Sequence, residues 1–175
     1  MDLEEYRKCT GYAGKVLRAD PENVEAYLML GDAYTGMKEY RKALGFLKKA
    51  VRLNPKFFEA YETMSCILTE MGRLKEGIQA AQCAIRLNPE NWMGYANWGF
   101  ALNKQGHYRK AIPMYHKALE RNPAHDRQYH IYWELGWLYF LTGGYEKALE
   151  YTNKALLLNT KHPPILFFNK GLILL

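Results

Sequence analysis

The sequence lacks most of what catalysis and export are built from. No apolar run approaches the ~20 residues of a membrane span, and the start, MDLEEYRK, is acidic with no apolar stretch behind it. Neither a spanning helix nor a secretory signal is expected. Cysteine occurs three times, at Cys9, Cys66 and Cys83, an odd number without CxxC spacing. That usage suits free thiols in a reducing compartment better than a disulfide framework. There is no Gly-rich phosphate-cradling loop, no HExxH and no nucleophile elbow, so catalysis is not expected. The charge excess is mild: 24 Lys plus Arg against 18 Asp plus Glu, a formal net charge of +6, which only weakly suggests an acidic partner. A cytoplasmic, non-catalytic protein without cofactor or metal is the expectation.

What the sequence has is repetition. NPENWMGYANWGFAL, from Asn88 to Leu102, is echoed by DPENVEAYLMLGDAY from Asp20, NPKFFEAYETMSCIL from Asn54 and NPAHDRQYHIYWELGWLY from Asn122; the prolines Pro21, Pro55, Pro89 and Pro123 stand thirty-four residues apart. Within a unit, Tyr27, Leu30, Gly31 and Tyr34 fall at i, i+3, i+4 and i+7, one face of a helix, and Ala43, Leu47 and Ala50 mark a second. Asn54 is expected to close that helix in the left-handed conformation, with Pro55 opening the first turn of the next.

The same positions recur as Tyr61, Met64, Ser65 and Leu68; as Tyr95, Trp98, Gly99 and Leu102; and as Tyr132, Leu135, Gly136 and Tyr139. Second helices follow with Gly77, Ala81 and Ala84; Ala111, Tyr115 and Ala118; and Ala148, Thr152 and Ala155. The intervening turns hold Gly72, Gly106 and Gly143, but Lys38 in the first unit.

This pattern resembles the tetratricopeptide repeat, a helix–turn–helix unit of thirty-four residues. The resemblance implies an all-α solenoid, a right-handed superhelix of antiparallel helix pairs. The expected divisions are a lone second helix over 2–20, repeats over 21–54, 55–88, 89–122 and 123–161, and a lone first helix over 162–175. The last full repeat carries three extra residues within AHDRQYHI, expected to lengthen a loop or helix start and bend the stack locally. The final stretch, ILFFNKGLILL, is apolar enough to suggest self-association through that helix.

The resemblance further implies that first helices line a concave surface that binds a peptide or protein segment. The lining positions are expected to include Glu25, Asp32, Glu59 and Glu62 in an acidic half. The other half is expected to hold Asn97, Phe100, Asn103, His130, Trp133, Trp137 and Phe140. Trp133, Trp137 and Phe140 form a second apolar stripe beside the packing face, suited to an apolar ligand side chain, with Asn97 and Asn103 placed to bond a ligand backbone. The cations with which some members hold a C-terminal carboxylate are missing: Leu28, Asp32, Thr63, Met93 and Asn97 stand at those positions. An asparagine ladder like that of the glycosyltransferase relatives is broken by Met29, Thr63 and Glu134 between Asn97 and Asn169.

Two other readings weigh less. His125 and His130 are five apart, which does not put them on one helical face for a metal. Lys42, Lys48, Lys49, Arg52, Arg109, Lys110, Lys117 and Lys154 lie on second helices and read as a solvated outer face rather than a nucleic-acid surface. The principal alternative to a free-standing scaffold is a regulatory or recruiting segment of a larger enzyme or multiprotein complex.

Overall fold

The computed structural model describes residues 3–121 and 124–158, with His125 and Asp126 described by their backbone alone. The expected helix over 162–175 and its apolar edge lie outside the described residues. Two compact units are present, residues 1–89 and 90–175. In the first, α1 (Leu3–Ala19) packs on α2 (Val24–Gly36), α2 pairs with α3 (Tyr40–Leu53), and α4 (Phe58–Glu70) pairs with α5 (Leu74–Leu87); α3 and α2 both pack on α4. In the second, α6 (Trp92–Lys104) pairs with α7 (Tyr108–Glu120) and α8 (His125–Leu141) with α9 (Tyr145–Leu158), α7 packing on α8. Each unit is thus all-α, with antiparallel pairs stacked as in an α-solenoid.

Small residues set how closely a pair approaches, and their partners compensate in volume. A Cβ at Gly31 would meet Leu47 at 2.5 Å, one at Gly99 would meet Tyr115 at 3.0 Å, and one at Gly136 would meet Thr152 Oγ1 at 2.8 Å. The α4–α5 pair inverts the arrangement: Ser65 replaces the glycine, Ala81 stands where Leu47, Tyr115 and Thr152 stand, and the bare position moves to Gly77. The Ser65 hydroxyl donates to the Gly77 carbonyl at 2.8 Å. Two departures from the repeat pattern are therefore one coupled change. Around these contacts the cores fill with Leu30, Leu44, Leu47 and Ile67 in the first unit, and with Tyr115, Ile131, Leu135 and Leu138 in the second.

The junctions between pairs differ from expectation. Asn54 has φ −130° and Asn88 φ −140°, extended rather than left-handed. The cause is the following proline, which disfavours helical backbone in its predecessor. Asn54 Oδ1 accepts from the Lys56 N–H at 3.0 Å, and the Phe57 N–H donates to the Asn54 carbonyl at 3.1 Å. Asp20 holds Glu22 and Asn23 in the same way. Proline therefore occupies the second position of a turn, where its fixed φ fits, and the helix starts three residues later. Asn23 and Asn91 then cap α2 and α6, accepting from Ala26 and Met93 N–H at 2.9 Å.

The turns within pairs follow the sequence. Gly72, Gly106 and Gly143 have φ of 75°, 76° and 83°, and Lys38 takes the same conformation at 59°, where a side chain is strained. The three extra residues fall within helix: α8 has 17 residues where α2, α4 and α6 each have 13, the fourth added because α8 starts two positions after its proline rather than three.

A stack of rings at the same repeat positions ties first to second helix in one pair of each unit. In the α2–α3 pair, Tyr27 and Tyr34 stack on Phe46 at 6.4 and 5.5 Å, with Lys49 and Lys42 over the two tyrosine rings at 4.7 and 5.4 Å. In α8–α9, Tyr132 and Tyr139 stack on Tyr151 at 6.0 and 5.5 Å, with Lys154 and Lys147 at 6.0 and 5.3 Å. These are the same five repeat positions. Cation–ring contacts at exposed sites contribute about 0.5–1 kcal/mol each.

Candidate functional site

In the first unit the expected lining residues sit on α2 and α4. Glu25 and Asp32 are exposed on α2, while Glu59 is half-buried in the first turn of α4. Glu62, expected to face the groove, is buried at 4 % exposure. Burial, and then the neighbouring Glu59 charge, push its carboxyl up to about 8. Asp32 accepts from the Thr63 hydroxyl at 3.0 Å. Desolvation still raises its pKa, offset in part by that hydrogen bond. The Cys66 thiol is likewise pushed up by burial and by Glu70, which keeps it protonated and unreactive at neutral pH.

In the second unit the expected lining residues sit on α6 and α8. Asn97, Phe100 and Asn103 are half-buried on α6, as are Trp133, Trp137 and Phe140 on α8; His130 is exposed, its ring 4.1 Å from Tyr129. The stripe is partly assembled: Trp137 stacks on Phe140 at 5.6 Å, and Phe140 meets Tyr145 at 5.8 Å. Lys104 lies 5.3 Å over the Phe100 ring.

The polar centre here is one that sequence reasoning passed over. Glu134, read as an interruption of an asparagine ladder, accepts from Asn103 Nδ2 at 2.9 Å and from the Tyr115 hydroxyl. Burial raises its pKa, and those hydrogen bonds together with Lys104 hold it back in part. Burial and Glu134 together hold the Tyr115 hydroxyl well above its ordinary range. The signal was a lone carboxylate within the apolar run from Ile131 to Leu141, since such a group must find donors when buried.

The packing surface of α8 is wider than the expected stripe, whose Leu135 and Gly136 are buried. Tyr132 and Tyr139 are only half-buried, in the ring stack, whereas Ile131 and Leu138 are at 2 % and 0 % exposure. The side of α8 opposite its lining residues thus packs on two flanks.

Residues 91–158 match the family model for the tetratricopeptide repeat, and residues 2–87 match that for anaphase-promoting complex, cyclosome, subunit 3. The crystal structure of MamA is 30% identical, covering 89% of each chain with a TM-score of 0.72. The chain belongs to the tetratricopeptide repeat family. Two further structures are similar at 22% identity, a level that speaks for the fold alone. YrrB, described as a tetratricopeptide repeat protein with an unusual peptide-binding site, has a TM-score of 0.68 over 97% of this chain and 84% of its own. PilW, a type IV pilus biogenesis factor, has 0.86 over 97% and 77%. No curated protein sequence matches the chain.

The role that comes with tetratricopeptide repeats is that of a scaffold for protein or peptide partners. Among the described residues no three His, Cys, Asp or Glu side chains are grouped to hold a metal ion. No helix among them is long and apolar enough to cross a membrane.

Proposed function

We propose that this tetratricopeptide repeat protein is a non-catalytic scaffold that holds a peptide or protein segment on its first-helix faces. A basic stretch of the ligand docks against Glu25, Asp32 and Glu59 on α2 and α4, with the buried Glu62 carboxyl behind them. An apolar side chain docks against Trp133, Trp137 and Phe140 on α8, and Asn97 and Asn103 bond the ligand backbone.

The observation that carries this reading is Glu62. A carboxyl pushed up to about 8 by burial and by a like charge is relieved by a cation brought to the same place. Binding a basic peptide near pH 7.5 should therefore release a proton, because the incoming charge lowers the Glu62 pKa through the working pH. Calorimetry in two buffers of different ionisation enthalpy reads that release directly. Binding without it, or release that persists in Glu62→Gln, counts against the site. For the apolar end, Trp137→Ala should weaken ligand binding by ~2 kcal/mol or more. Intact affinity with a lowered melting temperature would make the ring a packing residue.

A second reading is favoured by the match of residues 2–87 to a family named for a subunit of a multiprotein complex. Under it the same surfaces act as a recruiting segment within a larger assembly or enzyme.

A further inference from the structure

The expectation for the second helices was a solvated outer face. α3 departs from that in composition: between Tyr40 and Leu53 it carries Arg41, Lys42, Lys48, Lys49 and Arg52 and no acidic residue. At about 100° per residue, Arg41, Lys48 and Arg52 fall on one line within about 40°, and Lys42 and Lys49 on a second about 90° away. Gly45 lies between the two lines. All six residues are exposed, and the longer row runs about 16 Å along the helix.

Three features of this face work against helix stability. A mid-helix glycine is unfavourable where any side chain would fit, and a Cβ at Gly45 would meet nothing within 4 Å. Arg41 and Lys42 stand in the first turn, the end of the helix dipole that disfavours cations. The cations also repel one another. Lys42 pairs with Glu39, and Lys48 feels Glu76, but among the described residues no carboxylate pairs with Arg41 or Arg52. The arrangement is moreover repeated one unit earlier: Arg7, Lys8, Gly11, Lys15 and Arg18 of α1 occupy the same positions, all exposed, and Gly11 too has open space around it. In α1, Glu4 and Glu5 dilute the charge and Lys8 pairs with Glu4; α3 is the undiluted copy.

Between packed helices a helical glycine receives a bulky side chain, as Gly31 receives Leu47, Gly99 receives Tyr115 and Gly36 receives Tyr6, whereas Gly11, Gly14 and Gly45 have nothing within 4 Å of a Cβ. Gly45 is such a socket left open and flanked by cations. We propose that the outer face of α3 seats an acidic amphipathic helix of a partner protein. A bulky residue of that helix rests on Gly45, and carboxylates on either side pair with Arg41 and Arg52 in one row and Lys49 in the other. This seat is independent of the first-helix faces.

The probe is a synthetic helical peptide with leucines on one stripe flanked by glutamates, followed by fluorescence anisotropy with the full chain. The comparison ligands are its Glu-to-Gln analogue and a single-stranded oligodeoxythymidine. The acidic peptide should bind at low salt and its Gln analogue should not. Arg41→Gln with Arg52→Gln should weaken it about tenfold. Gly45→Leu should weaken it about fivefold by filling the socket, while keeping or raising the melting temperature, since leucine is the better helix former. Glu59→Lys should leave this binding unchanged even where it abolishes capture of a basic peptide. Absence of binding by the acidic peptide overturns the proposal. So does full affinity in Gly45→Leu, or oligodeoxythymidine binding as tightly and tolerating Gly45→Leu, which would make α3 a general polyanion surface.

Discussion

In residues 1–89 the first helices carry Asp32, Glu59 and Glu62, whereas in residues 90–175 they carry Phe100, Trp137 and Phe140. The framework beneath is shared. Both units use a bare glycine against a second-helix side chain, left-handed turns within pairs and, in one pair each, the stack of lysine, tyrosine, ring, tyrosine and lysine. Packing positions are therefore fixed by what helices need in order to meet, and lining positions are free to differ. A lining charge can be buried only at the expense of its ionisation, which is why the first unit holds a carboxyl pushed to about 8. At Glu134 in the second unit burial also raises the carboxyl, and hydrogen bonds from Asn103 and Tyr115 offset part of that rise.

The sharpest way to break this comparison is at the shared framework. Leu47 and Thr152 occupy equivalent positions opposite Gly31 and Gly136, and both are almost fully buried. Leu47→Ala should destabilise by about 3 kcal/mol, the ordinary range for an emptied leucine site. Thr152→Ala should lose much less, because its hydroxyl bonds within its own helix, to the Ala148 carbonyl at 2.8 Å. Denaturant melts of the two variants measure the difference, and equal losses would mean that the framework is not volume-matched pair by pair.

Next in size is the difference in lining. Because the folded pKa of Glu62 lies above its ordinary 4.5, its contribution to stability is full below about pH 4.5 and is lost as pH rises through about 8. Glu62→Gln should remove that decline. The variant should be close to wild type at pH 4 and more stable by on the order of 2 kcal/mol at pH 9. A constant difference across pH would show that the carboxyl ionises freely.

Within the turns the comparison narrows to one residue. Lys38 holds the positive φ that glycine holds at the equivalent turns. Lys38→Gly should stabilise by about 1 kcal/mol, and Gly106→Ala should destabilise by a similar amount. Thermal melts of both variants check the pair.

The smallest expected effect is at His116 on α7, whose Nε2 lies 3.0 Å from the Tyr139 hydroxyl and whose ring meets Tyr151 edge-on at 5.7 Å. Burial lowers its pKa below the ordinary 6.5, Lys147 and Lys154 act in the same direction, and Glu120 opposes them. The folded state thus resists protonation, and the stability this group contributes is present above about 6.5 and lost as pH falls below it. His116→Gln should flatten the acid limb of the stability profile. An unchanged limb would place its cause elsewhere.

The helix pairs were legible in the sequence because a thirty-four-residue period states the small and large positions several times over. The Ser65 and Gly77 departures could be seen but not joined, since their coupling is a hydrogen bond across two helices. Asn54 was misread because its neighbour's ring, not its own tolerance of left-handed backbone, decides its φ. For the candidate site, the residue types on lining positions could be read from register. Depth could not, because Glu62 and Glu59 differ in burial while lying less than one turn apart. Glu134 was noticed only for breaking a series; its donors come from α6 and α7, a meeting that no linear pattern displays.

The inverted pair has a bearing on how such chains diversify. If two copies of this chain recombined within a pair, joining α4 to α7, Ser65 would face Tyr115, a ring that elsewhere needs a bare glycine. Joining α6 to α5 would set Gly99 against Ala81 and leave a hole. Breaks placed at the proline junctions instead carry each matched couple intact. The junctions are therefore the seams along which units can be shuffled, duplicated or lost by crossover, and the helix pair, not the helix, is the heritable module.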